Sequence, residues 1–310
     1  MKDNSLQVFI GRANPDLGRK ISNYLGIPPG KMEVANFPDG EVDVKVLDDV
    51  RGADVFIVQP TCPNVNENLM ELLIMVDCIK RASANRITAV VPYFGYARQD
   101  RKAEGRVPIT AKLVANMLTT SGVSRVLTMD LHAPQIQGFF DIQVDHIFAA
   151  PVMIDHFRRL EVPDLVIVSP DVGGIKMARA YAKRLDADLA IIDKRRSGPS
   201  QIEAMHVIGE VKGKNVILVD DIISTASSIT EAARAVRAAG AKSASICATH
   251  PVFCKGALEK VKSAEIKEVV VTDTIPLKSS DGMRILSVSG LLAEAIIRIH
   301  RSESVSSLFV

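Results

Sequence analysis

The chain has 310 residues, 47% of them hydrophobic, and a formal net charge of +2. That length suits two ordinary domains or one large one, the apolar fraction is too high for disorder, and the charge balance supplies no strong field toward nucleic acid or a membrane surface. Tryptophan is absent and aromatics are only 5%, which argues against a base-stacking surface, and no apolar run approaches the roughly 20 residues of a membrane span. The four cysteines at 62, 78, 247 and 254 have no CxxC spacing. With no signal sequence they read as reduced thiols in a cytoplasmic protein.

In chain order, LQVFI, DVFIVQ, RITAVV and VSRVLTMD read as strands of the first half, and DLVIVS, LAIID, NVILVDD and SASICAT as strands of the second. Between them the spacing predicts amphipathic helices. Over 67–84, Leu69, Leu72, Leu73, Val76 and Ile79 share a face; over 229–239, Ile229, Ala232, Ala233 and Val236 do, with Gly240 placed for a C-terminal cap. Apolar β-branched strands alternating with helices imply parallel sheets covered on both faces. The halves also repeat. Gly52 and Gly213 stand 161 residues apart, as do Val58 and Val219, and Pro92 and Pro251 stand 159 apart, which points to duplication of one α/β unit.

The repeat breaks at one informative place. Gln59-Pro60 in the first copy is Asp220-Asp221 in the second, where the reading places the two acids at the end of the strand. A loop of small residues follows, Ser224, Thr225, Ala226, Ser227 and Ser228, and then a helix. Strand, small loop and helix N-terminus make an anion site of backbone N–H groups. Ser228 three residues before Glu231 also fits a capping box. Ionised carboxylates accept from ribose hydroxyls, so the pair suits a sugar phosphate; it equally suits a magnesium ion.

Other stretches have a bland reading beside a chemical one. Arg98-Gln99-Asp100-Arg101-Lys102 is a solvated charge run or a nucleotide grip. Phe37 to Glu41 is a turn before a strand. His132 is a structural histidine or a ligand, and Asp171 a helix cap or a ligand. Lys194, Arg195 and Arg196 end a strand, solvated or facing phosphates, and SGPSQIEAMH after them reads as a mobile flap.

VILVDDIISTASSIT resembles the phosphoribosyl-pyrophosphate loop of type I phosphoribosyltransferases. With NFPDGE (36–41), PYFGYARQDRK (92–102), MDLHAPQIQGFFD (129–141), VSPDVGGIKMAR (168–179), DKRR (193–196) and LLAEAIIRIH (291–300), nearly the whole chain resembles the ribose-phosphate diphosphokinase family of phosphoribosyl-pyrophosphate synthetases. The resemblance implies an α/β fold of two similar type I phosphoribosyltransferase-like domains, 1–148 and 149–290, followed by a C-terminal helix and tail over 291–310. It implies diphosphoryl transfer from ATP to ribose 5-phosphate. Lys194 and Arg196 would be catalytic, on a strand adjoining the acids. Phe37, Asp39, Gly40, Glu41, Arg98 and Gln99 would bind ATP. Arg196, Asp220, Asp221 and Ser224 to Ser228 would bind ribose 5-phosphate, and His132 and Asp171 would hold Mg2+. A cytoplasmic homohexamer is implied too, with neither nucleic acid nor membrane as partner. The alternatives are a phosphoribosyltransferase consuming the product and a non-catalytic regulatory homologue. The family's loop begins Asp-Thr and carries glycine; here a residue needing positive φ would be strained.

Overall fold

The computed structural model describes residues 5–195, 204–277, 280 and 282–309. In order the elements are β1 (Leu6–Ile10), α1 (Pro15–Leu25), β2 (Met32–Asn36), β3 (Val42–Val46), β4 (Asp54–Val58), α2 (Val65–Arg81), β5 (Arg86–Val91), α3 (Thr110–Ser121), β6 (Arg125–Met129), β7 (Gln143–Ile147), α4 (Ala150–Arg159), β8 (Leu165–Ser169), α5 (Ile175–Leu185), β9 (Asp188–Arg195), β10 (Ala204–Ile208), β11 (Asn215–Ile223), α6 (Ser227–Ala238), β12 (Ser243–Pro251), α7 (Ala257–Lys262), β13 (Val269–Thr272), β14 (Arg284–Leu286) and α8 (Ser289–His300). The chain divides into unit 1 (Met1–Ala149, Thr274–Pro276, Ser287–Val310) and unit 2 (Ala150–Asp273, Leu277–Leu286).

The two sheets repeat one plan. Unit 1 has the order β1-β4-β5-β6-β7; unit 2 has β8-β11-β12-β13-β14, with β9 and β10 added outside β8. The shared part is parallel throughout. Alternation along the matching strands agrees as well. Val55 and Ile57 of β4 face the core under α2 and α3, while Phe56 and Val58 face the core under α1 and α8. Val216 and Leu218 of β11 face the core with α6, while Ile217 and Val219 face α4 and α5. Side chains alternate across a strand, so an apolar residue at every position needs cover on both faces. Gly52 and Gly213 share φ 74, a left-handed turn open to glycine, just before these strands.

The differences from the sequence reading are local. α2 ends at Arg81 rather than 84, because Ser83 turns to φ 68. α6 starts at Ser227, two residues before its first apolar residue, and Gly240 closes it with φ 92. The hairpin β2–β3 is a sheet of its own, whereas its counterpart β9–β10 is fused to β8 by the parallel β8–β9 ladder. Residues 289–300 form α8, which belongs to unit 1 although it follows the last strand of unit 2; α4 follows the last strand of unit 1 and belongs to unit 2. Leu292 and Ile296 of α8 are fully buried, each contributing about 1.5–3 kcal/mol of hydrophobic stabilisation. Asp54, fully buried, accepts from Arg86 Nε at 2.8 Å and meets His300 Nδ1 at 2.8 Å, and Arg86 also donates to the Ile299 carbonyl at 2.9 Å. No helix among the described residues is long and apolar enough to cross a membrane.

Candidate active site

In unit 2 the connection from β8 through α5 leads to β9 on one side of β8, while β11 lies on its other side. Such a reversal opens a crevice at the carboxyl ends of the two strands, the usual place for ligands in open α/β sheets. Asp171 stands two residues past β8, and Asp220 and Asp221 lie on β11. The acids are inside the strand, not at its end as the sequence suggested. β12 keeps pairing with β11 beyond them, Ile222 to His250 and Ile223 to Pro251.

Burial, then the charge of Asp221, pushes the Asp220 carboxyl from 3.8 up to about 8, and Asp171 adds to the effect. Asp220 Oδ1 accepts the Asp221 N–H at 2.9 Å. Asp171 Oδ1 accepts the Gly174 N–H at 3.0 Å, and Ser169 Oγ donates to the Asp171 carbonyl at 2.7 Å. Asp171 is not the N-cap of α5, which is Gly174; one of its carboxylate oxygens orders the turn before the helix, while its charge acts on Asp220. Three carboxyl groups gathered on one edge, acting on one another, favour a ligand that brings cations or hydroxyl donors.

The loop after β11 is short. Ala226 is the N-cap of α6 with φ 62, ψ 0, and no side chain caps the helix. The capping box is absent, because Ser228 is already in the first turn. The first amides of α6 are thus left for a ligand. Lys260 Nζ on α7 donates to Ser227 Oγ at 2.7 Å. Ser224 Oγ lies 3.3 Å from Cys254 Sγ, and the Cys254 N–H donates to the Ser224 carbonyl at 2.9 Å. Lys260 and Cys254 were not legible as site neighbours. Only the pairing of β12 beside β11 carries that later loop to this one.

Lys194 is the seventh residue of β9, paired with Met205 of β10. β9 does not adjoin β11; β8 lies between them. Lys194 shares the carboxyl edge with the acids all the same, since Ser169 ending β8 pairs with Ile191, three residues before it. Arg196 lies outside the described residues. So do 197–203 of the expected flap, while 204–206 belong to β10.

The remaining candidates belong to unit 1. Phe37 to Glu41 form the tip of β2–β3, closed by Phe37 N–H to the Glu41 carbonyl at 2.8 Å, with Gly40 at φ 94 and Phe37 50% exposed. Arg98 and Gln99 are exposed beyond β5, and Arg98 makes no ion pair with another described residue. Asp100 accepts from Gln135 Nε2 at 2.6 Å, which ties this run to the loop of His132. His132 is exposed. Before it Asp130, at φ 38, accepts the Ala149 N–H at 3.0 Å, and the Leu131 N–H donates to His146 Nε2 at 2.9 Å. His132 and Asp171 fall in different units. Among the described residues no group of three or more His, Cys, Asp or Glu is arranged to hold a metal ion.

Residues 6–122 match the N-terminal domain of ribose phosphate pyrophosphokinase, and residues 196–310 match the phosphoribosyl synthetase-associated domain. The chain is 57% identical over 310 residues to the ribose-phosphate pyrophosphokinase of Rhodopirellula baltica, covering 98% of each chain. It is 52% identical over 313 residues to that of Gloeobacter violaceus, covering 100% of this chain and 94% of the other. The chain belongs to the ribose-phosphate pyrophosphokinase family. The crystal structure of phosphoribosylpyrophosphate synthetase from Mycobacterium smegmatis superposes with a TM-score of 0.91 at 39% identity, covering 96% of this chain and 99% of that one. Both similar α/β units of this ribose-phosphate pyrophosphokinase-family chain therefore have a counterpart in a solved relative. The two matched segments take in the Phe37–Glu41 tip, Arg98 and Gln99, Arg196, and the whole 220–228 region. His132, Asp171 and Lys194 lie between them, in a stretch covered by the full-length relatives.

Proposed function

We propose that the chain transfers the diphosphoryl group of ATP to the anomeric hydroxyl of ribose 5-phosphate, giving 5-phosphoribosyl diphosphate and AMP. The observation that carries this reading is the uncapped N-terminus of α6 beside Asp220 and Asp221 on one sheet edge. The amides of 224–228 take the sugar's phosphate, and the two carboxylates accept from its ring hydroxyls. Relatives carrying the family's name at 52–57% identity over full length support the same reaction.

The anomeric hydroxyl attacks the β-phosphorus of ATP in line, with AMP leaving. Phosphoryl chemistry of this kind depends on positioning and on neutralising charge at the transferred group. Lys194, on the same edge, and Arg196 supply fixed positive charge there. Arg98 offers a guanidinium fork to the triphosphate, Gln99 and the Phe37–Glu41 tip hold the nucleoside, and the chain's own groups undergo no covalent change.

The Asp171 carboxylate suits Mg2+. The ion takes carboxylate, water and phosphate oxygens and needs only one or two protein ligands. Asp171 keeps a carboxylate oxygen beyond the one bound to Gly174, and His132 is exposed on its loop. When bound, the ion neutralises charge on the phosphate chain. Assembly as a homohexamer, measurable by sedimentation, and a cytoplasmic setting suited to four free cysteines complete the proposal. The test is incubation of the protein with magnesium, ATP and ribose 5-phosphate. AMP formed in step with 5-phosphoribosyl diphosphate supports it; AMP without that product, or neither, overturns it.

A further inference from the structure

The Phe37–Glu41 tip sits on a two-stranded ribbon detached from the main sheet. An isolated two-stranded ribbon is marginally stable, and a tip that must grip a nucleoside needs an anchor. Met32, Val44 and Val46 pack the ribbon's body onto the core under α2. A polar chain anchors the tip. Glu71 on α2, its side chain 1% exposed, accepts from Arg12 twice, at 2.7 Å from the main-chain N–H and 2.6 Å from Nε. Arg12 Nη1 then donates to Asn36 Oδ1 at 2.5 Å, and Asn36 Nδ2 donates to the Gly40 carbonyl at 3.0 Å.

The inner end is rigid. Gln59 Nε2 donates to Glu71 Oε1 at 3.0 Å, and Gln59 Oε1 accepts the Ala13 N–H at 3.1 Å. Gln59 lies so close over Gly11 that a Cβ there would come within 2.2 Å of Gln59 Oε1. A buried carboxylate with both oxygens engaged is expensive to disturb. One guanidinium therefore transmits a fixed position on α2 to the last residue of β2 and across the tip.

We infer that Glu71, Arg12 and Asn36 are positioning residues that hold the Phe37–Glu41 tip in the geometry it needs to bind the nucleoside of the triphosphate. This rests on the nucleotide-binding reading of that tip given above. A purely structural network would lower stability without separating the two substrates. A positioning network acts on one substrate alone.

The test is steady-state kinetics on the full chain. Asn36→Ala removes the exposed link. It is expected to raise KM for ATP about tenfold, as for two lost hydrogen bonds, with kcat and KM for ribose 5-phosphate unchanged. Arg12→Lys keeps the charge beside Glu71 but loses the fork, and is expected to raise KM for ATP similarly. Combined with Asn36→Ala it should add nothing further, because both break one chain. Glu71→Gln, which keeps the volume, gives a smaller rise. Phe37→Ala is the control on the underlying reading. If Phe37→Ala raises KM for ATP while Asn36→Ala and Arg12→Lys do not, the positioning role is overturned and the nucleotide-binding tip stands. If Phe37→Ala has no effect, both fall. Equal changes in both KM values also overturn the inference.

Discussion

Gln59 and Asp220 occupy the same place in the two repeats, 161 residues apart and one residue beyond the matching valines Val58 and Val219. Their surroundings are opposite. Gln59 is fully buried and spends both ends of its amide on Glu71 and the Ala13 N–H. Asp220 is half-buried beside a second carboxylate, with its own carboxyl pushed up to about 8. A neutral amide satisfies a buried donor and acceptor at no electrostatic cost; two adjacent carboxyls raise one another's proton affinity and so favour a ligand that brings donors or cations. This position is thus a closed joint in unit 1 and a candidate site in unit 2.

Asp220 makes stability depend on pH in a defined direction. Its folded carboxyl titrates near 8 and its ordinary value is 3.8. Between those values the folded state holds the proton more tightly than the unfolded state, so this group's contribution to stability falls as pH rises through the window. Asp220→Asn removes the titration. Measured from pH 4.5 to 8.5, its melting temperature should rise relative to the unsubstituted chain as pH increases. A constant difference across that range would refute the assignment.

Lys194→Ala should cut turnover by about 10²-fold or more, the scale for one fixed charge aimed at a transition state. Its affinity for ribose 5-phosphate by calorimetric titration should hardly change, since the sugar site proposed above lies on β11 and the loop beyond it. Normal turnover in this variant would remove Lys194 from the chemistry.

Ala226 holds φ 62 with its methyl group buried at 4% exposure. Ala226→Val adds a β-branch where such residues are rarely tolerated, and overpacks the core beneath α6. We expect a loss of about 2 kcal/mol by denaturant titration, with weakened binding of ribose 5-phosphate. Ala226→Gly relieves the conformation but gives up a buried methyl and stiffens nothing. These terms nearly cancel, so stability should stay within about 1 kcal/mol.

Arg86→Ala takes the guanidinium from the fully buried Asp54 carboxylate, which keeps only its contact with His300 Nδ1 among the bonds described above, and releases the Ile299 carbonyl at the end of α8. Breaking one side of a buried pair costs about 3–5 kcal/mol. Thermal melting should show that loss, with proteolysis beginning near 287–310. Arg86→Leu paired with Asp54→Asn should recover part of it.

Periodicity alone determined much of this molecule. Runs such as DVFIV and NVILV are apolar at successive positions, and only a strand covered on both faces can bury every one of them. The helix stripes of α2 and α6 and the 161-residue repeat follow from the same local rule. The acid pair and its small-residue loop were legible because strand, loop and helix lie consecutively in the chain. What depends on contacts between distant segments was not. Asp220 and Asp221 proved to lie inside β11, because the extension of that strand depends on how far β12 pairs with it. The separation of Lys194 from the acids by β8, and the seats of Lys260 and Cys254 beside the loop, come from strand order, which no local pattern encodes. The return of α8 to unit 1 is of the same kind. An amphipathic helix states that it must cover an apolar face, but which face it finds is decided only when the sheets have formed and Asp54 and Arg86 await its C-terminal end.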